Sequence, residues 1–157
     1  MKTAPREQLI LLVDDSDDDA FFLTRALDNA GGNLRVERAK HGQEAINYLT
    51  RAGAEAKDGG AFPDLVLLDI KMPLCDGFQF LRWKQTQLGL ATLRVIVMSS
   101  SSLPEDVRLA YQLGAHSYLS KEMGAMFMVE RLTLLRRWWF EQCLSAPPIL
   151  NTVTVEM

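Results

Sequence analysis

Residues 64–77, DLVLLDIKMPLCDG, constrain the fold more than any other stretch of the chain. Leu65, Val66, Leu67 and Leu68 form an unbroken apolar run, the mark of a strand buried on both faces of a parallel sheet. The run stops at Asp69. Open α/β folds bind their ligands outside the carboxyl ends of the strands. A carboxylate there is therefore either part of a site or the cap of a turn. Pro73 and Gly77 then break the chain and direct it into a helix.

Asp69 is not isolated. Leu9–Val13 is a second apolar run that ends in Asp14 and Asp15, followed by Ser16 as an N-cap and by Asp17, Asp18 and Asp19 in the first turn of a helix over residues 17–29. Acids in a first turn favour the positive end of the helix dipole, which accounts for the last three but not for Asp14 and Asp15. That helix is expected to bury Phe21, Leu23 and Leu27 and to stop at Gly31-Gly32. Further strands are predicted at 34–39, 94–98 and 117–120, and helices at 42–52, 78–87, 104–113 and 124–144. Residues 53–63, GAEAKDGGAFP, read as a long surface loop. Strand and helix thus alternate five times, which predicts a doubly wound parallel sheet with helices on both faces. Right-handed crossovers bring every strand's C-terminus to one edge. Asp14, Asp15, Asp69, Ser99 and Lys121 each fall at such an end.

Taken singly, Lys121 is an ordinary surface lysine, Ser99 a turn residue and Tyr118 strand filler; His41 and His116 have no partner at ligand spacing. Taken together, the five residues make a chemistry. Clustered carboxylates repel and must be offset by protonation or a cation. An all-oxygen site suits a hard ion such as Mg²⁺, which takes one or two carboxylates, waters and a phosphate. Asp69, on the central strand, is then placed as a nucleophile towards a phosphoryl group, forming an aspartyl-phosphate. Lys121 can pair with one phosphoryl oxygen and Ser99 can donate a hydrogen bond to another.

These residues carry a family resemblance. At VDD (13–15), LLDIKMPLCDG (67–77), Ser99 and Lys121, the last two 22 residues apart, the chain resembles the receiver domain of two-component response regulators over about residues 7–143. The resemblance implies a flavodoxin-like five-stranded sheet in the order 2-1-3-4-5. It also implies Asp69 as phosphoacceptor, Asp15 as a direct metal ligand, Asp14 as a ligand through water, and the backbone carbonyl of Lys71 as a further ligand. Ser99 and Tyr118 would form the hydroxyl-aromatic switch, although Ser100 competes with Ser99 for its role. The chain departs from many receivers in placing Glu122 after Lys121, where they carry a proline in a cis bond. Without proline a cis bond costs about 2.5–4 kcal/mol, so the loop is either trans or held by other contacts. Lys71 and Ser101, each two positions beyond a residue of the set, lie where they affect water access to it.

The implied activity is a phosphorylation-controlled protein-protein switch fed by a sensor histidine kinase, not an enzyme. The 53–63 loop, the aromatic end of the last helix (Trp138, Trp139, Phe140) and the proline-containing tail resemble the single-domain regulators paired with bacterial phytochrome histidine kinases. One rival is an aspartate-nucleophile phosphohydrolase, which carries a second acid two residues after the first; that position is Lys71. A flavodoxin-like nucleotide or flavin binder should show a glycine- or hydroxyl-rich phosphate loop where this chain has DDSDDD. The net charge of −3 offers nucleic acid no basic footprint. No apolar run approaches the ~20 residues of a membrane span, and the start reads as no signal peptide. The two cysteines, Cys75 and Cys143, make neither a disulfide framework nor a metal motif, as expected of a cytoplasmic protein.

Residues 1–144 are read as the receiver domain and 145–157 as a C-terminal extension or arm, too short for an output module. The last helix carries one apolar stripe, Met128, Leu132, Leu135, Trp139 and Cys143, and a second line, Phe127, Leu134 and Trp138, on another face. Ile149-Leu150 and the alternation through Val153 and Val155 have strand character. These features predict a homodimer through the last helix and tail. Against it stands a disordered tail, with the second line covering the chain's own body.

Overall fold

A computed structural model of the chain describes residues 6–72 and 75–138. Along it β1 (Gln8–Val13), α1 (Asp17–Asn29), β2 (Leu34–Ala39), α2 (Gly42–Ala56), β3 (Leu65–Leu68), α3 (Gly77–Gln85), β4 (Arg94–Ser99), α4 (Pro104–Gln112), β5 (Ser117–Ser120) and α5 (Gly124–Arg136) alternate. Short 3₁₀ turns occupy Leu88–Leu90 and Lys121–Met123. The five strands pair in parallel in the order β2-β1-β3-β4-β5, the doubly wound sheet that the apolar runs predict.

Period-two alternation divides each central strand between two cores. Ile10, Leu12, Leu65, Leu67, Ile96 and Met98 face one layer, where Ala20, Leu23 and Leu27 of α1 meet Met128 and Leu132 of α5. Leu11, Val13, Val66, Leu68, Val95 and Val97 face the other, packed by Leu49 of α2, Phe80 and Leu81 of α3 and Ala110 of α4. With both faces covered, β3 is buried at every residue. Polar groups therefore gather at the strand ends.

Two expectations are corrected. The loop predicted over residues 53–63 is shorter, because α2 continues to Ala56. Leu49, Ala52, Gly53 and Ala56 recur at helical spacing on the buried face, and small side chains let that last turn lie against the body. Phe21 is not buried: it is 57% exposed beside Phe22, while Leu23 and Leu27 point inward as expected. The inward stripe of α1 is Ala20, Leu23, Ala26 and Leu27, and Phe21 lies about 100° from Ala20 around the helix. Its ring is instead covered by the Arg25 guanidinium, 5.5 Å from the centroid.

On α5, Met128 and Leu132 are buried and Leu135 is half-buried against α1, whereas Phe127, Leu134 and Trp138 are exposed. Among the described residues the members of the two apolar lines thus lie on different faces. Pro73, Trp139, Phe140, Cys143, Val153, Val155 and the whole 145–157 segment lie outside the described residues.

Candidate functional site

The strand register sets the site. Val13 pairs with Leu68, so the next residues of β1 and β3 are Asp14 and Asp69. The backbone carries on one step past each strand: Asp69 N–H donates to the Val13 carbonyl at 2.9 Å and Asp14 N–H to the Ala39 carbonyl at 3.0 Å. Both carboxylates are thereby held at the sheet edge, 1% and 8% exposed. Asp15, one residue on, is exposed. The carboxylate oxygens of Asp14, Asp15 and Asp69 all lie within 4.8 Å of one another.

Lys121, immediately after β5, reaches across from the far side. Its Nζ donates to Asp14 Oδ2 at 2.5 Å, Asp19 Oδ2 at 2.9 Å and Asp69 Oδ2 at 3.4 Å. No peptide bond among the described residues is cis, so Lys121-Glu122 is trans and the lysine reaches the site without the cis turn. Burial lowers the lysine's pKa, but the bond to Asp14, the charges of Asp69 and Asp14 and the bond to Asp19 outweigh it and raise the pKa overall. Burial raises Asp69 above the usual carboxylate range, and the charge of Asp14 adds to it. The Lys71 N–H and the Lys121 ammonium work in the opposite direction. An acid that is buried, close to other acids and incompletely neutralised stands at the strand end of the sheet.

Asp19 is the member that sequence reasoning missed. The helix dipole explains an acid in the first turn of α1, and Ser16 does cap that helix by accepting from the Asp19 N–H at 3.2 Å. The Asp19 carboxylate, beyond that cap, accepts from the Lys121 ammonium. Spacing from Asp15 by one helical turn was the available signal.

Three carboxylates therefore surround one ammonium, and Asp15 stands beside two of them as a fourth acid. The excess negative charge and the all-oxygen donor set fit a hard divalent cation. Asp15 makes no hydrogen bond or ion pair among the described residues, which leaves its carboxylate available to such an ion. Asp14 Oδ1, by contrast, already accepts from the Ser16 N–H at 3.0 Å.

On the other side of Asp69 the loops are tied to each other. Lys71 N–H donates to Asp69 Oδ1 at 3.0 Å, while its ammonium lies 3.6 Å from Asp106 Oδ2. Ser99 is fully buried at the end of β4, and its Oγ accepts from the Ser101 N–H at 3.1 Å. Ser100, the competing hydroxyl, is exposed. Tyr118, half-buried on β5, donates its hydroxyl to the Ser101 carbonyl at 2.7 Å. Ser99 and Tyr118 thus meet at Ser101 rather than at each other. The structure brings Asp14, Asp15, Asp69 and Lys121 into one cluster and sets Ser99, Tyr118 and Lys71 beside it. Phe127, Leu134 and Trp138 are exposed and make none of these contacts.

Comparison with known proteins gives the same picture. The family model for the response regulator receiver domain matches residues 10–133. Response regulator Rcp1 of Synechocystis is 25% identical over 134 residues, which is 85% of this chain and 90% of Rcp1. The phosphorylated cyanobacterial phytochrome response regulator RcpA superposes with a TM-score of 0.79 at 26% identity, covering 90% of this chain and all of RcpA. RPA3017, a response regulator in red light signalling of R. palustris, gives 0.79 at 26% identity over 89% of this chain and 99% of its own. The chain spans 83% of the length of one curated relative, but 44%, 25% and 16% of three longer ones.

Proposed function

The chain belongs to the response regulator receiver family, and on that premise we propose that it accepts a phosphoryl group on Asp69 from a sensor histidine kinase and thereby switches a protein-protein interaction. The observation that carries this reading is the buried Asp69 carboxylate beside Asp14 and Asp15, with Lys121 laid across them. In the transfer an Asp69 oxygen attacks phosphorus, the new O–P bond forms, and the donor leaves with the electrons of its bond to phosphorus. Lys121 orients the carboxylate beforehand and moves its charge onto the phosphoryl oxygens as they arrive. Ser99, anchored at the end of β4, supplies a hydroxyl hydrogen to another of those oxygens.

Receivers bind a divalent metal, and we assign Mg²⁺ to this site. Asp15 directly, Asp14 through water, Asp69 and the Lys71 carbonyl would hold it. The chemistry it supplies is charge neutralisation between carboxylate and phosphoryl group. The hydrolase reading is weaker, because the position that would carry its second acid is Lys71, whose ammonium turns to Asp106.

Similarity to RcpA and RPA3017 supports a phytochrome-type kinase as the phosphodonor. No helix among the described residues is long and apolar enough to cross a membrane, and we place the protein in the cytoplasm with its kinase. We assign residues 1–144 to the receiver domain and 145–157 to an arm. The exposed Phe127, Leu134 and Trp138 support a homodimer through α5, to which Val153 and Val155 of the arm would add. Light scattering on the full chain and on a variant ending at residue 145 tests this: a full chain monomeric at tens of micromolar, phosphorylated or not, refutes the dimer.

The acceptor assignment is tested by intact mass after incubation with acetyl phosphate. The wild type should gain one phosphoryl group only with Mg²⁺ or Mn²⁺ present. An Asp69→Asn variant that labels at the wild-type rate overturns the assignment.

A further inference from the structure

Asp106 stands in the first turn of α4 beside Glu105, and the helix dipole explains an acid at either position. The two are otherwise unlike. Glu105 is exposed, whereas the Asp106 side chain is 15% exposed and one oxygen, Oδ2, takes a hydrogen bond from one loop and an ion pair from another. Ser101 Oγ of the β4–α4 loop donates to it at 2.5 Å, and the Lys71 ammonium of the β3–α3 loop lies 3.6 Å away.

Ser101 is consequently held at its N–H, its carbonyl and its hydroxyl, the last of which also accepts from the Leu103 N–H at 3.4 Å. Its N–H is on Ser99 Oγ, its carbonyl takes the Tyr118 hydroxyl, and its own hydroxyl is on Asp106. Lys71 is held at both ends, by its N–H on Asp69 Oδ1 and its ammonium near Asp106. A continuous path thus runs from the acceptor carboxylate through Lys71, Asp106 and Ser101 to both Ser99 and Tyr118. Asp106 is the link that closes it.

From this arrangement we propose that Asp106 is a positioning residue for the acceptor site, acting through Ser101 and Lys71 to favour the unphosphorylated arrangement of the two loops. The inference rests on the acceptor reading of Asp69. A phosphoryl group on Asp69 recruits the groups that Asp106 holds or steadies. It draws the Ser99 hydroxyl, which disturbs the Ser99–Ser101 turn, and it offers the half-exposed Lys71 ammonium a dianion in the same loop. The carboxylate of Asp106 competes directly for the Lys71 ammonium and, by holding the Ser101 hydroxyl, steadies the turn in which Ser99 sits. A group that binds one state better than the other shifts the equilibrium by that difference. Asp106 therefore lowers the fraction of protein ready to take the phosphoryl group, and the apparent acceptance rate falls with that fraction.

The experiment pairs labelling rate with hydrogen exchange in Asp106→Asn, Ser101→Ala and the double variant, using acetyl phosphate and Mg²⁺. Asp106→Asn should label faster by roughly threefold to tenfold, the net size of one hydrogen bond. The amides of residues 101–103 should exchange faster before phosphorylation and change less upon it. Ser101→Ala, which removes a single hydroxyl from a half-buried site, should move both readouts the same way and carries the test should Asp106→Asn fold poorly. The double variant should label no faster than Asp106→Asn, since both changes break one link. Faster exchange with an unchanged labelling rate makes Asp106 a structural helix residue and overturns the proposal, as do independent, multiplicative effects in the double variant. A wild type that takes no phosphoryl group at all sinks the acceptor reading and this inference with it. A labelled wild type with an indifferent Asp106→Asn sinks the inference alone.

Discussion

Lys121 Nζ lies 2.5 Å from Asp14 Oδ2, joining residues 107 positions apart in the sequence and making the lysine the internal counter-ion of the acid cluster. The same ammonium serves Asp19 and Asp69. A cation entering the cluster and a phosphoryl group arriving at Asp69 both draw on that one charge.

Removing the counter-ion should therefore strengthen cation binding. Lys121→Met removes the ammonium that contacts Asp14, Asp19 and Asp69, and unit charges a few ångströms apart interact by several kcal/mol at a protein-like dielectric. Mg²⁺ affinity, followed by calorimetric titration without any phosphodonor, should rise by at least about fivefold. Unchanged affinity would mean that the ammonium and the ion do not share the carboxylates.

Ser99→Ala should separate labelling from response. Asp69 keeps its nucleophilic oxygen, so the phosphoryl group is still acquired, but the Ser99 Oγ that accepts from the Ser101 N–H is gone. The phosphorylation-dependent change in amide exchange over residues 100–122 should be largely lost. A full response in this variant refutes the switch role of Ser99.

Gly77 sits against the acceptor itself. A Cβ built there would stand 2.5 Å from the Asp69 carbonyl oxygen and 2.6 Å from Ile70 Cα, and both are backbone atoms that cannot rotate away. Gly77→Ala should cost about 1–3 kcal/mol in urea unfolding and slow labelling by shifting Asp69. An alanine variant with wild-type stability would show that the start of α3 yields more easily than its packing implies.

Lys84 gives the pH dependence. It is buried on α3, and burial lowers its pKa from the ordinary lysine value. The unfolded chain keeps this proton to higher pH than the native one. Stability therefore rises with pH between the lowered native pKa and about 10.5, and the burial of the ammonium weighs on the fold at neutral pH. Lys84→Met should raise the urea midpoint at pH 7, by about 0.5–2 kcal/mol in unfolding free energy, and remove the rise in stability that approaches the ordinary lysine pKa from below. A lower midpoint at pH 7 would mean that the ammonium has a compensating partner.

Much of this protein was legible in its sequence because the relevant signals are local. Apolar runs of four or five residues, each stopped by a polar residue, mark the three central strands and their functional ends, and caps such as Ser16 and breakers such as Gly77 mark the helices. In a parallel sheet those ends share one edge whatever the detailed packing, so Asp14, Asp15, Asp69 and Lys121 could be grouped before any coordinate was known. Tertiary structure alone decided which oxygens Lys121 bonds, that Asp19 joins them, that Phe21 faces outward and that Asp106 ties Lys71 to Ser101. Each depends on where a side chain ends after strand register, helix rotation and loop path have combined. A long side chain such as lysine turns a small change in any of these into a different partner. Periodicity fixes the face on which a residue lies; the choice of partner is made only when the other elements have docked.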